Sequence, residues 1–148
     1  MHSRILILVL GLVLVFATSS CVEDYPFDGK PNINLLQSGP DTVHEFTDSI
    51  YFKISYEDGD GDLGENNTDD QNLFVTDNRN GIQYKYRIRE LVPGNTNVPV
   101  QGTLVFSINN TFIIGTGNSE QVTYNIHVID RGNHESNTLT TKPITILK

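Results

Sequence analysis

The strongest limit on the fold comes from eight residues. Along residues 49–56 (SIYFKISY), Ile50, Phe52, Ile54 and Tyr56 fall on one side, and Tyr51, Lys53 and Ser55 on the other. A period of two marks a β-strand with one buried face, and β-branched and aromatic residues suit that pleated surface. Val122, Tyr124, Ile126 and Val128 repeat the pattern near the C-terminus. Shorter apolar runs at 33–36, 72–76, 82–91, 100–108, 112–114 and 139–147 are separated by Gly, Asn and Asp. Runs 72–76 and 82–91 flank Asp77-Asn78-Arg79-Asn80-Gly81, whose Asn-Gly pair signals a hairpin turn. Pro143 interrupts the last run and marks an edge or a bulge. No segment carries an apolar stripe of helical period. Beyond residue 20 the chain has no Ala and no Met but 13 Thr and 15 Asn, a composition that disfavours helices. The expected fold is all-β, an antiparallel β-sandwich of about seven to eight strands over residues 32–148.

The N-terminal segment is of another kind. Arg4 precedes an apolar run, residues 5–16, broken only by Gly11, and small residues follow at Ala17, Thr18, Ser19 and Ser20. A run of this length is too short to cross a hydrocarbon core of ~30 Å. The layout is that of a signal peptide over residues 1–20. Cys21 comes next and is the chain's only cysteine, so no intramolecular disulfide is available to it. The segment Ala17-Thr18-Ser19-Ser20-Cys21 resembles the lipobox of bacterial lipoproteins, with Thr18 where that pattern usually has an aliphatic residue. The resemblance implies that Cys21 is the new N-terminus and carries a covalent lipid. Two or more acyl chains anchor stably where a single one does not. Residues 21–31, with two prolines and three acids, read as a tether to the membrane.

Two further segments carry a second resemblance. Tyr56-Glu57-Asp58-Gly59-Asp60-Gly61-Asp62-Leu63-Gly64 and Ile129-Asp130-Arg131-Gly132-Asn133 are similar to segments of the Ig-like domains of bacterial envelope lipoproteins. The likeness implies an Ig-like or fibronectin-type sandwich. It says little of function, because such folds serve many roles.

Charge singles out one loop. Setting aside residues 1–20 removes Arg4 and no acid, leaving nine Lys and Arg against 18 acids, a formal charge of −9. Such a surface excludes nucleic acid as a partner. Seven of those acids (Glu57, Asp58, Asp60, Asp62, Glu65, Asp69 and Asp70) lie within residues 57–70, where there is no Lys or Arg. Alternating Asp and Gly lets carboxylates converge on a hard cation, and calcium takes six to eight oxygens. Counting Asp58 as position one places Asp60 at three, Asp62 at five and Asp69 at twelve. Leu63 stands where an EF-hand requires Gly, and no helix is expected on either side, so an EF-hand is excluded. In an Ig-type sandwich the loop after the second strand and the loop between the last two strands lie at one end. Asp130, with Asn133 and Glu135, is therefore expected to approach the acidic loop. The candidate metal ligands are Asp58, Asp60, Asp62, Asp69 and Asp130, and the candidate ion is Ca2+. A solvated acidic loop without metal is the competing reading.

Other patterns are weaker. Lys85, Arg87 and Arg89 share one face of a strand, with Tyr84, Tyr86 and Ile88 on the other. They read either as a solvated sheet face or as a glycan-binding platform. His44, His127 and His134 lack zinc-ligand spacing. No nucleophile elbow, cysteine nucleophile or phosphate loop is present. The expected function is non-enzymatic: a cell-envelope lipoprotein held at the outer membrane, binding an envelope protein or a glycan as an adhesion or accessory module. The alternative is a glycan-binding accessory lipoprotein of a polysaccharide-uptake system.

Overall fold

The computed structural model describes residues 27–93 and 96–148. Cys21, the expected signal peptide and most of the expected tether lie outside the described residues. The described chain is all-β, with ten strands in three mostly antiparallel sheets stacked in a sandwich-like arrangement.

One sheet has the order β1-β3-β6, formed by β1 (Asn32–Gly39), β3 (Ile50–Asp58) and β6 (Val100–Ile108). β3 runs unbroken against β6, from Ile50 opposite Ile108 to Asp58 opposite Val100. β1 shifts register between Leu35 and Gln37. A second sheet has the order β5-β4-β8-β9, from β4 (Leu73–Asp77), β5 (Gln83–Tyr86), β8 (Tyr124–Val128) and β9 (Leu139–Thr140). The third contains β2 (Thr42–His44), β7 (Ser119–Val122) and β10 (Ile144–Leu147), with β2 parallel to β10.

The number of strands exceeds seven to eight because two extended arms each change sheets. β7 and β8 are one arm split at Thr123, and β9 and β10 another split before Pro143. β7 pairs with β10, and β8 with β9. Thr141 holds the bend: its N–H donates to the Tyr124 carbonyl (2.9 Å), and its hydroxyl accepts from the Tyr124 N–H (3.0 Å).

Two expected strands come out differently. The run 82–91 leaves the ladder after Tyr86, because the Asn72 side chain takes the Ile88 N–H (2.6 Å) and Glu65 takes the Ile88 carbonyl (2.8 Å). Residues 112–114 form no strand. The carboxylates of Glu45 and Glu120 accept the Ile113 and Ile114 N–H groups instead, at 3.1 and 2.6 Å. The Asn-Gly turn is present, with Gly81 at φ +74° and its N–H on the Asp77 carbonyl (2.8 Å).

The core lies between the sheets. Ile50, Phe52 and Ile54 from β3 meet Tyr124, Ile126 and Val128 from β8, all fully buried. Phe52 stacks on Phe106 at 5.4 Å and meets Tyr124 edge-on at 5.7 Å. Burying side chains of this size contributes roughly 1.5–3 kcal/mol each.

Candidate metal centre

The alternation that builds the core also builds the site. Asp58 is the last residue of β3 and shares the parity of Ile50, Phe52, Ile54 and Tyr56, so its carboxylate is turned inward and fully buried. The chain beyond it must bend tightly. A Cβ on Gly59 would lie 2.3 Å from the Phe27 carbonyl oxygen, and one on Gly61 (φ +72°) 2.0 Å from that of Val98. Only glycine allows both approaches. The Gly59 N–H donates to the Asp28 carbonyl (2.7 Å), so residues 27 and 28 lie against the acidic loop. Leu63 then enters the core, fully buried, and its N–H donates to Asp58 Oδ2 at 2.8 Å. This one apolar side chain folds the loop back over its own first carboxylate.

Asp130 arrives from the other sheet, two residues after β8. Its carboxylate is buried, with Oδ1 accepting the His134 N–H (2.8 Å) and Oδ2 3.0 Å from His134 Nδ1. Asn133, at φ +63°, makes the turn that brings His134 back. Asp58, Asp62 and Asp130 thus converge, each offering an oxygen within 4.8 Å of the other two.

The electrostatics are unbalanced. No hydrogen-bond donor among the described residues reaches Asp58 Oδ1 or Asp62 Oδ1, although both atoms are buried. Burial pushes the Asp58 carboxyl up to about 6. The Leu63 N–H opposes that shift, and the charges of Asp60, Asp62 and Asp130 reinforce it. Asp62 is likewise raised to about 6, first by burial and then by Asp130 and Asp60, with Arg131 partly opposing. Arg131 does not neutralise the trio: its Nη1 donates to the Gly64 carbonyl (3.0 Å) and lies 3.7 Å from Glu90. Two buried anionic oxygens without donors are costly unless a cation meets them. Three carboxylates form a hard, oxygen-only donor set, which suits hard cations such as magnesium, calcium or manganese better than metals that favour soft ligands.

The other expected ligands divide. Asp60 lies beside the trio, lines a cleft of about 450 Å3 with Asp62, Thr96, Asn97, Arg131 and Gly132, and accepts the Asp62 N–H at 3.4 Å. Asp69 stands apart. It is exposed, and its N–H donates to the Asn67 side chain (3.2 Å). The chain turns away before reaching it, because Glu65 bridges to Arg89. Glu135 is also outside the trio, with a carboxylate oxygen 3.9 Å from His127 Nε2. Sequence reasoning missed His134 as the partner of Asp130 and Leu63 as the plug. The four-residue spacing of Asp130 and His134 around Gly132-Asn133 was the available signal.

The second candidate face is arranged differently from the glycan platform. Tyr84 and Tyr86 pack against the core, and the Tyr86 hydroxyl donates to the Ser107 carbonyl (2.8 Å). Arg87 spends its Nη1 on the carbonyls of Glu65 and Asn66, at 3.3 and 3.0 Å. Comparison of the chain with models of known protein families, with curated proteins and with solved structures finds no match.

Proposed function

We propose that this chain is a non-catalytic binding module of the Ig type, whose loops are fixed by a divalent metal ion. More particularly, it is a lipid-anchored lipoprotein of the outer membrane, acting as an adhesion or accessory subunit for another envelope component. The orders β1-β3-β6 and β5-β4-β8-β9, with β2 running parallel to β10, support the Ig or fibronectin-type reading. The metal reading rests on one observation: two buried carboxylate oxygens, of Asp58 and Asp62, with no donor, facing the buried carboxylate of Asp130. Calcium is the ion of choice, because its flexible coordination tolerates an irregular ring of carboxylates that magnesium's strict octahedron does not. The anchor rests on Cys21 directly after an apolar run with small residues at its end. The glycan-accessory alternative loses its stacking face, since Tyr84 and Tyr86 are turned toward the core.

Mass spectrometry of the native protein tests both parts. Acyl mass on an N-terminal Cys21, and one calcium ion retained under non-denaturing conditions, are the expected results. An unmodified Cys21 in the native protein overturns the anchor, and calorimetry showing no calcium uptake overturns the metal.

A further inference from the structure

Among the described residues, one long sheet edge has no strand paired with it. β6 borders its sheet, is nine residues long, and contains no charged residue and no proline (VQGTLVFSI). The other sheet edges are short or broken: β2, β5, β7 and β9 span two to four residues, and β1 shifts register in its middle. Proteins usually blunt a long edge with a charge, a proline or a bulge, and β6 has none. The Ser107 carbonyl takes the Tyr86 hydroxyl, so it points away from β3. Ladder parity sends the backbone groups of Gln101, Thr103 and Val105 the same way, away from β3. The side chains of these three residues are exposed, Val105 at 68%.

Beside this edge lies a cleft of about 310 Å3 between the two sheets. Its apolar wall includes Ile88, Leu91, Leu104 and Phe106, and its polar rim includes Arg87 and Arg89. Neither arginine forms an ion pair among the described residues. Glu90 also lines the cleft, but it sits 3.7 Å from Arg131 and accepts a hydrogen bond from Asn66. In a chain this acidic, the rim of the cleft carries two arginines that face no carboxylate partner among the described residues, although Arg87 also donates Nη1 to the Glu65 and Asn66 carbonyls.

We propose that β6 and this cleft dock an extended acidic segment of a partner polypeptide as an added strand. Main-chain bonds to Gln101, Thr103 and Val105 supply affinity, alternate apolar side chains enter the cleft, and carboxylates meet Arg87 and Arg89. Complementary charge selects the partner, because a basic segment would be repelled at the same rim. Docking at β6 requires neither the metal nor the anchor.

The test uses two blocked heptapeptides of alternating valine and charged residues, one with glutamate and one with lysine, added to the isotope-labelled protein. The glutamate peptide is expected to shift the amides of Gln101, Thr103 and Val105 and to bind at least about tenfold more tightly than the lysine peptide. Arg87→Glu with Arg89→Glu reverses that preference. Thr103→Pro removes an outward N–H where an edge strand tolerates proline, so circular dichroism is unchanged while binding falls about tenfold. Equal binding of both peptides overturns the proposal. So does binding that survives Thr103→Pro, absence of binding at about 1 mM, or a dimer in light scattering that buries β6 against a second copy.

Discussion

Asp58 ends a strand of one sheet and Asp130 lies two residues beyond a strand of another, yet each sets a carboxylate oxygen within 4.8 Å of the other's and of one from Asp62. A cation held there ties the end of β3 to the end of β8, so its binding energy becomes folding energy. At a calcium concentration a hundredfold above Kd, the gain is about 2.7 kcal/mol, or about 10 °C in Tm for a domain of this size. Differential scanning fluorimetry in calcium and in chelator reads it. Asp58→Asn and Asp130→Asn should each abolish the shift. Asp69→Asn, on the exposed stretch, should leave it intact.

The same carboxylates give the metal-free protein an unusual pH dependence. Asp58 and Asp62 have folded values of about 6, above the ordinary 3.8. Between those values the folded state holds more protons than the unfolded one, so stability falls as pH rises through that window. Asp58 is fully buried and accounts for a loss on the order of 2 kcal/mol, with a smaller part from the more exposed Asp62. Urea denaturation in chelator should therefore give a higher midpoint at pH 5 than at pH 7.5. Calcium should reverse the order, because protons compete with the ion below pH 6. A chelated protein that is more stable at pH 7.5 would contradict both shifts.

Much of this site was legible before the fold was known. The parity that buries Ile50, Phe52 and Ile54 reaches Asp58 without a break, and the fold class alone brought Asp130 toward the acidic loop. Parity and topology are properties of a whole strand, which a sequence displays. The path of a loop is decided by single contacts at a distance. Asp69 fell outside because Leu63 plunges into the core and Glu65 pairs with Arg89, and neither contact is written in residues 57–70. The early end of β5 has the same origin, since it depends on the Asn72 side chain capturing the Ile88 N–H. Tyr84 and Tyr86 were ambiguous because both faces of their strand carry long side chains.

Two glycines with nearly equal backbone angles separate strain from collision. Gly61 has φ +72° and Gly81 φ +74°. A Cβ on Gly61 would lie 2.0 Å from the Val98 carbonyl oxygen, whereas one on Gly81 meets nothing within 4 Å. Gly81→Ala should cost only the left-handed penalty, about 1 kcal/mol. Gly61→Ala must also move the 96–98 segment, so a loss of more than about 2 kcal/mol is expected, with weaker calcium binding. Equal denaturation midpoints for the two variants would show that the loop yields freely.

Tyr124 tests the core from the opposite direction. Its ring is fully buried and edge-on to Phe52, while its hydroxyl has no hydrogen-bond partner among the described residues. Burial raises its ionisation above the ordinary tyrosine value, with the charge of Asp77 adding to the effect. An unsatisfied hydroxyl costs desolvation without recompense, whereas the ring contributes packing. Tyr124→Phe keeps the ring and removes the cost, so the variant should match the parent or exceed it by about 1 kcal/mol. Phe52→Ala, which opens a cavity against the same ring, should lose about 3–5 kcal/mol. If Tyr124→Phe instead destabilises by more than about 1 kcal/mol in equilibrium unfolding, the hydroxyl has a partner in solution and the core is wetter than its geometry implies.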